Sequence, residues 1–169
     1  MIRTANTRTT TLALALVGAL AFGGAGYAIA DQRTEVSADA LTANAQRPTV
    51  EVWKSPTCGC CTGWVEYLED EGYEVVAHDT DDMDGIKTQL GLVDPRLKSC
   101  HTATIDGYVV EGHVPVSDIE RLLAERPDVI GISAPGMPMM SPGMGSTDPA
   151  GYDVISFDER ERTVLFARH

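Results

Sequence analysis

The sequence predicts an α/β domain in which strand patterns alternate with helical patterns. The first observation is an alternating strand pattern that leads through a Cys-x-x-Cys pair into an amphipathic helix. The second is another strand and helix, so that the chain opens with a β-α-β unit and its right-handed parallel crossover. The third is an Asp-Gly dipeptide between two further strand patterns, which is a strong hairpin signal. A hairpin and a helix after such a unit complete a thioredoxin-like sandwich of the order β-α-β-α-β-β-α.

The β-α-β unit occupies the first part of this domain. Residues 49–53 alternate apolar and polar side chains, as a half-buried strand does. Residues 60–71 carry apolar side chains at helical spacing, and Gly72 predicts the end of that helix. Residues 73–77 predict the second strand. Residues 83–90 predict a second helix that begins at an aspartate cap.

The predicted hairpin and third helix follow. Residues 102–105 and 108–111 predict antiparallel strands that are joined by the two-residue Asp-Gly turn. Pro115 predicts the end of this hairpin. Residues 117–120 read Ser-Asp-Ile-Glu and fit a capping box, because serine is followed three residues later by glutamate. The third helix is therefore predicted to begin at this box.

The C-terminal part combines an irregular loop with a final hairpin. Residues 134–151 contain four prolines and four glycines, which predicts a loop without regular structure. Residues 152–157 and 163–166 predict two strands around a charged turn.

The N-terminal 30 residues have the pattern of a cleavable export signal. Arg3 and Arg8 precede a short apolar segment at residues 11–22, and Ala30 ends a small-x-small cleavage pattern. The apolar segment is shorter than the roughly 18 residues of a membrane-spanning helix, so a membrane anchor is the alternative and not the main prediction. We therefore expect cleavage after Ala30 and a periplasmic protein without stable membrane insertion.

The rest of the chain divides into a polar linker and one domain. Residues 31–48 show no sustained periodicity and predict a flexible linker, and residues 49–169 form the predicted domain. The whole chain carries 13 basic and 25 acidic side chains, for a formal net charge of −12. An acidic chain without a basic run gains nothing from counterion release, which argues against binding to nucleic acid.

All four cysteines lie in two short segments. Cys58 and Cys61 form the Cys-x-x-Cys pair at a predicted helix start, where unpaired N–H groups stabilise thiolates. Cys60 lies between them and would point elsewhere in a regular helix, so its participation requires a non-helical turn through Gly59. Cys100 is the fourth. The structural alternative is a disulfide between Cys58 and Cys61, or between one of them and Cys100.

The hairpin register predicts a second donor pair. With Asp-Gly as the turn, Cys100 lies opposite His113, so the two project to the same face of the sheet. His101 lies opposite Gly112 and falls on the other face, where its alternative role is that of a hydrogen-bonded packing histidine. A one-residue bulge would exchange the faces.

The irregular loop is rich in methionine. Met137, Met139, Met140 and Met144 are four of the six methionines of the chain. Thioethers are soft ligands for Cu(I), whereas a flexible methionine also fills gaps in packing. The loop is predicted with equal weight either to make an accessory copper contact, with Met137 as the candidate, or to form a lid over the cysteine site.

Four separated motifs stand out along the chain: WKSPTCGCC at 53–61, CHTA at 100–103, GYVVEGHVP at 107–115 and PGMP at 135–138. Together and in this order they resemble one family, the CopG-like periplasmic proteins that contain the domain of unknown function 411. The resemblance spans about residue 49 to the C-terminus, and it implies a thioredoxin-like fold, a copper-resistance context and thiolate-bound copper. The site residues that it implies are Cys58, Cys60, Cys61 and Cys100, with His101 and His113 nearby.

One departure from ordinary thioredoxins affects the predicted chemistry. Those proteins place a proline, usually cis, before the third strand and facing the Cys-x-x-Cys pair. Here residues 99–101, Ser-Cys-His, take that place. The change removes a feature used to bind polypeptide substrates and adds a sulfur ligand, so it argues against general dithiol exchange on proteins.

The leading hypothesis is a periplasmic copper protein that is redox-active toward its ion. Cu(I) favours thiolates and Cu(II) favours imidazoles, so a mixed Cys/His site can serve both. A copper oxidoreductase would use Cys58 and Cys61 as its reactive pair, with a copper transporter, chaperone or electron partner in the periplasm. The alternatives are a thiol-disulfide oxidoreductase, a passive copper carrier, and a structural zinc site of Cys58, Cys61, Cys100 and His113.

Overall fold

The structure is a computed structural model that describes residues 47–146, 148–160 and 162–169. The predicted export signal, its cleavage site after Ala30 and most of the predicted linker lie outside the described residues. Among the described helices, none has the length and apolarity that crossing a bilayer requires.

One seven-stranded sheet carries three helices in the described part of the chain. The strands are β1 (Val50–Lys54), β2 (Val75–Asp79), β3 (Thr102–Ile105), β4 (Tyr108–Gly112), β5 (Gly131–Ala134), β6 (Asp153–Phe157) and β7 (Thr163–Arg168). The helices are α1 (Gly59–Asp70), α2 (Met83–Gln89) and α3 (Val116–Glu125). The spatial order of the strands is β2-β1-β3-β4-β5-β6-β7.

The first seven elements follow the predicted β-α-β-α-β-β-α order, which confirms the α/β fold. Strands β1 and β2 are parallel, and β3 is antiparallel to both β1 and β4. The β3–β4 turn uses Asp106 and Gly107, both with positive φ, as a two-residue hairpin requires. Ile105 pairs with Tyr108 in the predicted register.

The sequence reasoning missed strand β5. It pairs in parallel with β4 and antiparallel with β6, so it joins the β6–β7 hairpin to the rest of the sheet. All four of its residues are buried. The chain approaches β4 so closely at Gly131 that a Cβ atom there would lie 1.9 Å from the carbonyl oxygen of Val109.

The two faces of the sheet have different covers. Helices α1 and α3 pack on one face, where Trp64, Leu68, Ile119 and Leu122 are fully buried. Helix α2 lies on the other face, from which the buried Lys87 reaches strands β3 and β4. Both faces of the sheet are therefore covered. Because β3 is antiparallel to β1 and to β4, the segments after β1, before β3 and after β4 meet at one end of the sheet.

Two local predictions need correction. The predicted capping box is wrong, because α3 begins at Val116 after an extended Pro115, with no side-chain cap. The N–H groups of Asp118 and Ile119 bond the Pro115 carbonyl instead. Strand β2 begins two residues later than predicted, at Val75. The aspartate cap of α2 is confirmed, since Asp82 accepts a hydrogen bond from the Gly85 N–H.

Candidate metal centre

The cysteine pair lies at the N-terminus of α1. Cys58 is the N-cap residue in an extended conformation, and no side chain caps the helix. A disulfide joins Cys58 to Cys61, while Cys60 and Cys100 are free thiols. The structural alternative of a Cys58–Cys61 bond is thus the state seen here. The uncapped N–H groups favour negative charge on these sulfurs when the bond is reduced.

Cys60 takes part in the cluster without the predicted non-helical turn. Its sulfur lies 3.6 Å from Cys58 Sγ and 3.9 Å from Cys100 Sγ, although the helix already begins at Gly59. The requirement for a non-helical turn was wrong because Cys58 itself stands outside the helix. The sulfur atoms of Cys58, Cys60, Cys61 and Cys100 all lie within 4.8 Å of one another.

The predicted contact between Cys100 and His113 is confirmed. The Cys100 sulfur lies 3.2 Å from Nε2 of His113. The other ring nitrogen, Nδ1, lies 2.7 Å from the Pro142 carbonyl oxygen, which can only accept a hydrogen bond. The proton is therefore on Nδ1, and the Nε2 lone pair faces the sulfur.

The predicted separation of His101 from this pair is wrong. Nδ1 of His101 lies 3.4 Å from Cys100 Sγ, and its ring makes an edge contact with His113 at 4.9 Å between centroids. The alternation of faces holds only inside the β3–β4 ladder, which ends at Thr102. Beyond it, Gly112 has φ +73° and its carbonyl accepts the Val114 N–H, so the chain turns sharply at His113.

Burial determines the charge state of the groups around Cys100. Burial raises the pKa of Cys100 to about 11, and the neighbouring Cys60 thiol adds to the shift. Burial lowers the pKa of His113, and it lowers the pKa of His101 well below its usual range, with His113 and Lys87 adding to the effect. Both imidazoles are therefore neutral at pH 7, which is the form that binds metal ions.

A buried ion pair beneath the site was not anticipated from the sequence. Nζ of Lys87 lies 2.6 Å from both Oε1 of Glu111 and Oγ1 of Thr102, and Thr102 also donates to Glu111 at 2.5 Å. The Ser99 N–H donates to Glu111 at 2.5 Å. This last bond fixes the backbone directly before Cys100, so the network positions the fourth cysteine.

The Ser-Cys-His segment lies directly before strand β3, as predicted. Residues 99–101 precede β3, and the described residues contain no cis peptide bond. The Trp64 ring packs against His101 at 4.5 Å, and its Nε1 donates to the Val114 carbonyl at 2.9 Å. The indole therefore ties helix α1, His101 and the turn after β4 together.

The methionine loop is fixed to the site at three points. Gly136 bonds the backbone of Lys98 at 3.1 Å, and its carbonyl accepts from the Ser99 hydroxyl. Pro142 accepts from His113, and Gly143 lies against the backbone of α1. Between these anchors, Met137, Met139 and Met140 are 59%, 72% and 49% exposed. The loop thus borders the cysteine cluster with three of its methionines facing solvent, while the fourth, Met144, is half-buried.

The close approach of Gly143 to α1 leads to a stability prediction. A Cβ atom at Gly143 would lie 2.6 Å from the Trp64 nitrogen and 2.8 Å from the Cys60 carbonyl oxygen. We expect Gly143→Ala to lower the free energy of unfolding by about 1–3 kcal/mol more than Gly145→Ala. Gly145 is the matched control because it also has positive φ but has open space around it. Chemical denaturation measures the difference, and equal losses in the two variants would contradict it.

The remaining two histidines stand outside this centre. His78 pairs with Glu51 and stacks on Trp53. His169 lies 2.8 Å from Asp118. Neither belongs to the two groups of clustered donors, which are the four cysteines and the set Cys100, His101 and His113.

Comparison with known proteins identifies relatives of this chain. The model of the family described as "Protein of unknown function, DUF411" matches residues 97–144, which include Cys100, both clustered histidines and the four methionines of the loop. Among curated proteins, none matches the chain. Two solved structures named "Copper resistance protein copG", Form 1 and Form 2, are each 40% identical, with a TM-score of 0.67. Each alignment covers 73% of this chain and 98% of the other. The chain therefore belongs to the CopG-like DUF411 family.

Proposed function

We propose that this protein is a periplasmic copper-binding protein of copper resistance that binds Cu(I) through its cysteine cluster and is redox-active toward copper. The observation that carries the proposal is the cluster itself, in which four sulfur atoms lie within 4.8 Å of one another. Soft thiolates at this density are ligands for Cu(I), which is here the cargo or substrate. The name of the two related structures, copper resistance protein, supports the same cargo.

The binding residues in this proposal fall into two groups. The thiolates of Cys58, Cys60, Cys61 and Cys100 hold Cu(I) once the disulfide is reduced. His113 adds a neutral imidazole, and His101 a second, so that an oxidised ion also finds ligands. We assign Met137 an accessory contact, since the loop that carries it is anchored beside Cys100 and a thioether suits Cu(I).

Anaerobic titration of the reduced protein with Cu(I) tests this function. The titration uses a competing high-affinity chelator and native mass spectrometry to count bound ions. We expect tight uptake of one or more ions per chain, and a loss of affinity in the variant with both Cys58→Ser and Cys61→Ser. His78→Gln serves as the matched surface control. Unchanged affinity in the cysteine variant would refute the proposal, and preferential uptake of zinc would favour the structural zinc site.

The disulfide between Cys58 and Cys61 favours a second candidate, a thiol-disulfide oxidoreductase. There the partly exposed Cys58 would attack a substrate disulfide and the buried Cys61 would resolve the mixed disulfide. A mixed disulfide with a protein substrate, trapped by Cys61→Ser, would support this candidate. Copper uptake without any copper-dependent redox cycling would instead indicate a passive carrier that serves a transporter or chaperone.

A further inference from the structure

Three methionine side chains of the irregular loop are exposed to solvent within four consecutive residues. They are three of the seven large hydrophobic side chains that are exposed in the described part of the chain. A methionine that filled a gap between the loop and the domain would be buried. Packing therefore does not account for Met137, Met139 and Met140.

The loop keeps its shape through backbone contacts and not through these three side chains. Ser141 donates to the Pro138 carbonyl twice, from its N–H at 3.2 Å and from its hydroxyl at 2.5 Å. The Met140 carbonyl accepts the Ala150 N–H at 3.2 Å. The Ser141 carbonyl accepts the Met144 N–H at 3.1 Å. A chemical change on the exposed sulfur atoms would therefore leave the loop folded.

The same loop contacts the surroundings of both free thiols. The Gly136 carbonyl accepts a hydrogen bond from the Ser99 hydroxyl, which lies 3.9 Å from the Cys100 sulfur. At the other end, a Cβ atom at Gly143 would lie 2.8 Å from the Cys60 carbonyl oxygen. The three exposed methionines lie on the segment between these contacts, whereas both thiols are half-buried. A small reagent from solvent therefore meets the thioethers more readily than the thiols.

We propose that Met137, Met139 and Met140 form an oxidant-modification site, where hypochlorous acid converts the thioethers to sulfoxides and is consumed before it reaches Cys60 and Cys100. The inference goes beyond the proposed function and needs no bound metal ion. A thioether reacts without first losing a proton, whereas a thiol reacts as its thiolate. Three exposed thioethers at the border of the thiol cluster can thus act as a sacrificial shield.

The modification is a balanced two-electron step. The thioether sulfur loses two electrons and forms a bond to oxygen, while the chlorine of hypochlorous acid gains them and leaves as chloride with one proton. The reverse step needs a dithiol reductase, which is itself oxidised to a disulfide as the sulfoxide oxygen leaves as water. Each methionine can therefore consume one oxidant molecule per cycle of repair.

Oxidation of the wild-type protein tests where the oxidant reacts. The metal-free protein in its disulfide state receives increasing amounts of hypochlorous acid, and peptide mass mapping locates the added oxygen. We expect at least about 5-fold more sulfoxide at Met137, Met139 and Met140 than at the half-buried Met83 and Met144. Equal oxidation of all five methionines would overturn the assignment of the site.

A methionine-free segment tests the protection of the thiols. The variant with Met137→Leu, Met139→Leu and Met140→Leu keeps apolar side chains of similar size and loses only the reactive sulfur atoms. Iodoacetamide labelling counts the free thiols that remain. We expect wild-type thiol loss to begin after about three equivalents of oxidant, and loss in the variant to begin within about the first equivalent. Met83→Leu is the matched control and should behave as the wild type. Equal thiol loss in the triple variant and the wild type would overturn the shield.

Repair and folding complete the test. Sulfoxide reductases for both sulfoxide epimers should return the oxidised wild type to its original mass. Chemical denaturation should give the same free energy of unfolding before and after oxidation, because the three side chains are exposed. Unfolding on oxidation, or sulfoxides that resist both reductases, would overturn a reversible modification site. All these measurements use metal-free protein, so this inference and the proposed copper function can fail independently.

Discussion

Replacing Glu111 by alanine is expected to lower the free energy of unfolding by about 3–5 kcal/mol and to weaken copper binding at the same time. Glu111 is fully buried, and its carboxylate accepts hydrogen bonds from Lys87, Thr102 and the Ser99 N–H. Burial raises the pKa of Glu111, while the Lys87 ammonium and these hydrogen bonds oppose the shift. Its removal leaves a buried ammonium without a counter-charge, which is far more costly than the loss of a surface ion pair.

The effect on copper binding follows from the Ser99 bond. Glu111 holds the backbone N–H of the residue directly before Cys100, so its loss frees the segment that places the Cys100 sulfur. Chemical denaturation of the copper-free protein measures the stability, and competition with a Cu(I) chelator measures the affinity. Both values should fall in Glu111→Ala.

A rescue variant distinguishes positioning of the site from general destabilisation. Lys87→Met combined with Glu111→Gln removes both charges but keeps an amide oxygen that can accept the Ser99 N–H. It should recover most of the stability and of the copper affinity, because a neutral network needs no counter-charge. Lys87→Met combined with Glu111→Leu should recover stability alone, since leucine cannot hold Ser99. Full copper affinity in the leucine variant would rule out a positioning role for Glu111.

The hairpin explains how sequence alone could predict the contact between Cys100 and His113. The turn at Asp106 and Gly107 has two residues, so every pair along the strands is counted outward from it. Residues outside the ladder are not governed by this count. His101 was therefore predicted on the wrong face of the sheet, because the positive φ of Gly112 and the turn at His113 end the alternation of faces.

Strand β5 and the buried ion pair were missed for opposite reasons. Strand β5 has four residues, all buried between two neighbouring strands, so it shows neither the length nor the alternation that marks a strand in sequence. Nothing in the local sequence marks Lys87 or Glu111 as buried, and charged residues are almost never fully buried unless paired. Their pairing links helix α2 to strand β4 across 24 residues, and no local pattern reports such a contact.

The Cys60 sulfur illustrates the limit of helical spacing near a helix end. Spacing arguments apply once the chain is inside the helix, and there Cys60 would have pointed away from the other two cysteines. Because Cys58 is the extended N-cap residue, its sulfur lies beside that of Cys60 while also bonding to Cys61. The conformation of the N-cap residue decides how the three sulfur atoms are arranged. Sequence patterns predict the position of that residue only to within one or two residues.

Replacing Cys100 by serine is expected to have the largest effect on copper binding, because Cys100 belongs to both groups of clustered donors. Loss of an outer residue that orients a metal ligand typically costs 10- to 100-fold in affinity, and loss of a direct ligand costs more. We therefore expect a loss of more than about 100-fold in Cu(I) affinity. Chelator competition on the reduced protein at fixed pH measures the loss.

The pattern across variants is more informative than any single loss. Cys58→Ser with Cys61→Ser should weaken binding by removing two of the four thiolates, and His113→Gln should weaken it less because it leaves all four. Cys100→Ser should change the free energy of unfolding little, because the serine hydroxyl can donate to Nε2 of His113. If Cys100→Ser left the affinity of the reduced protein unaffected, copper would have to be held by Cys58, Cys60 and Cys61 alone. Residues 99–101 would then shape the backbone before β3 and not bind the ion.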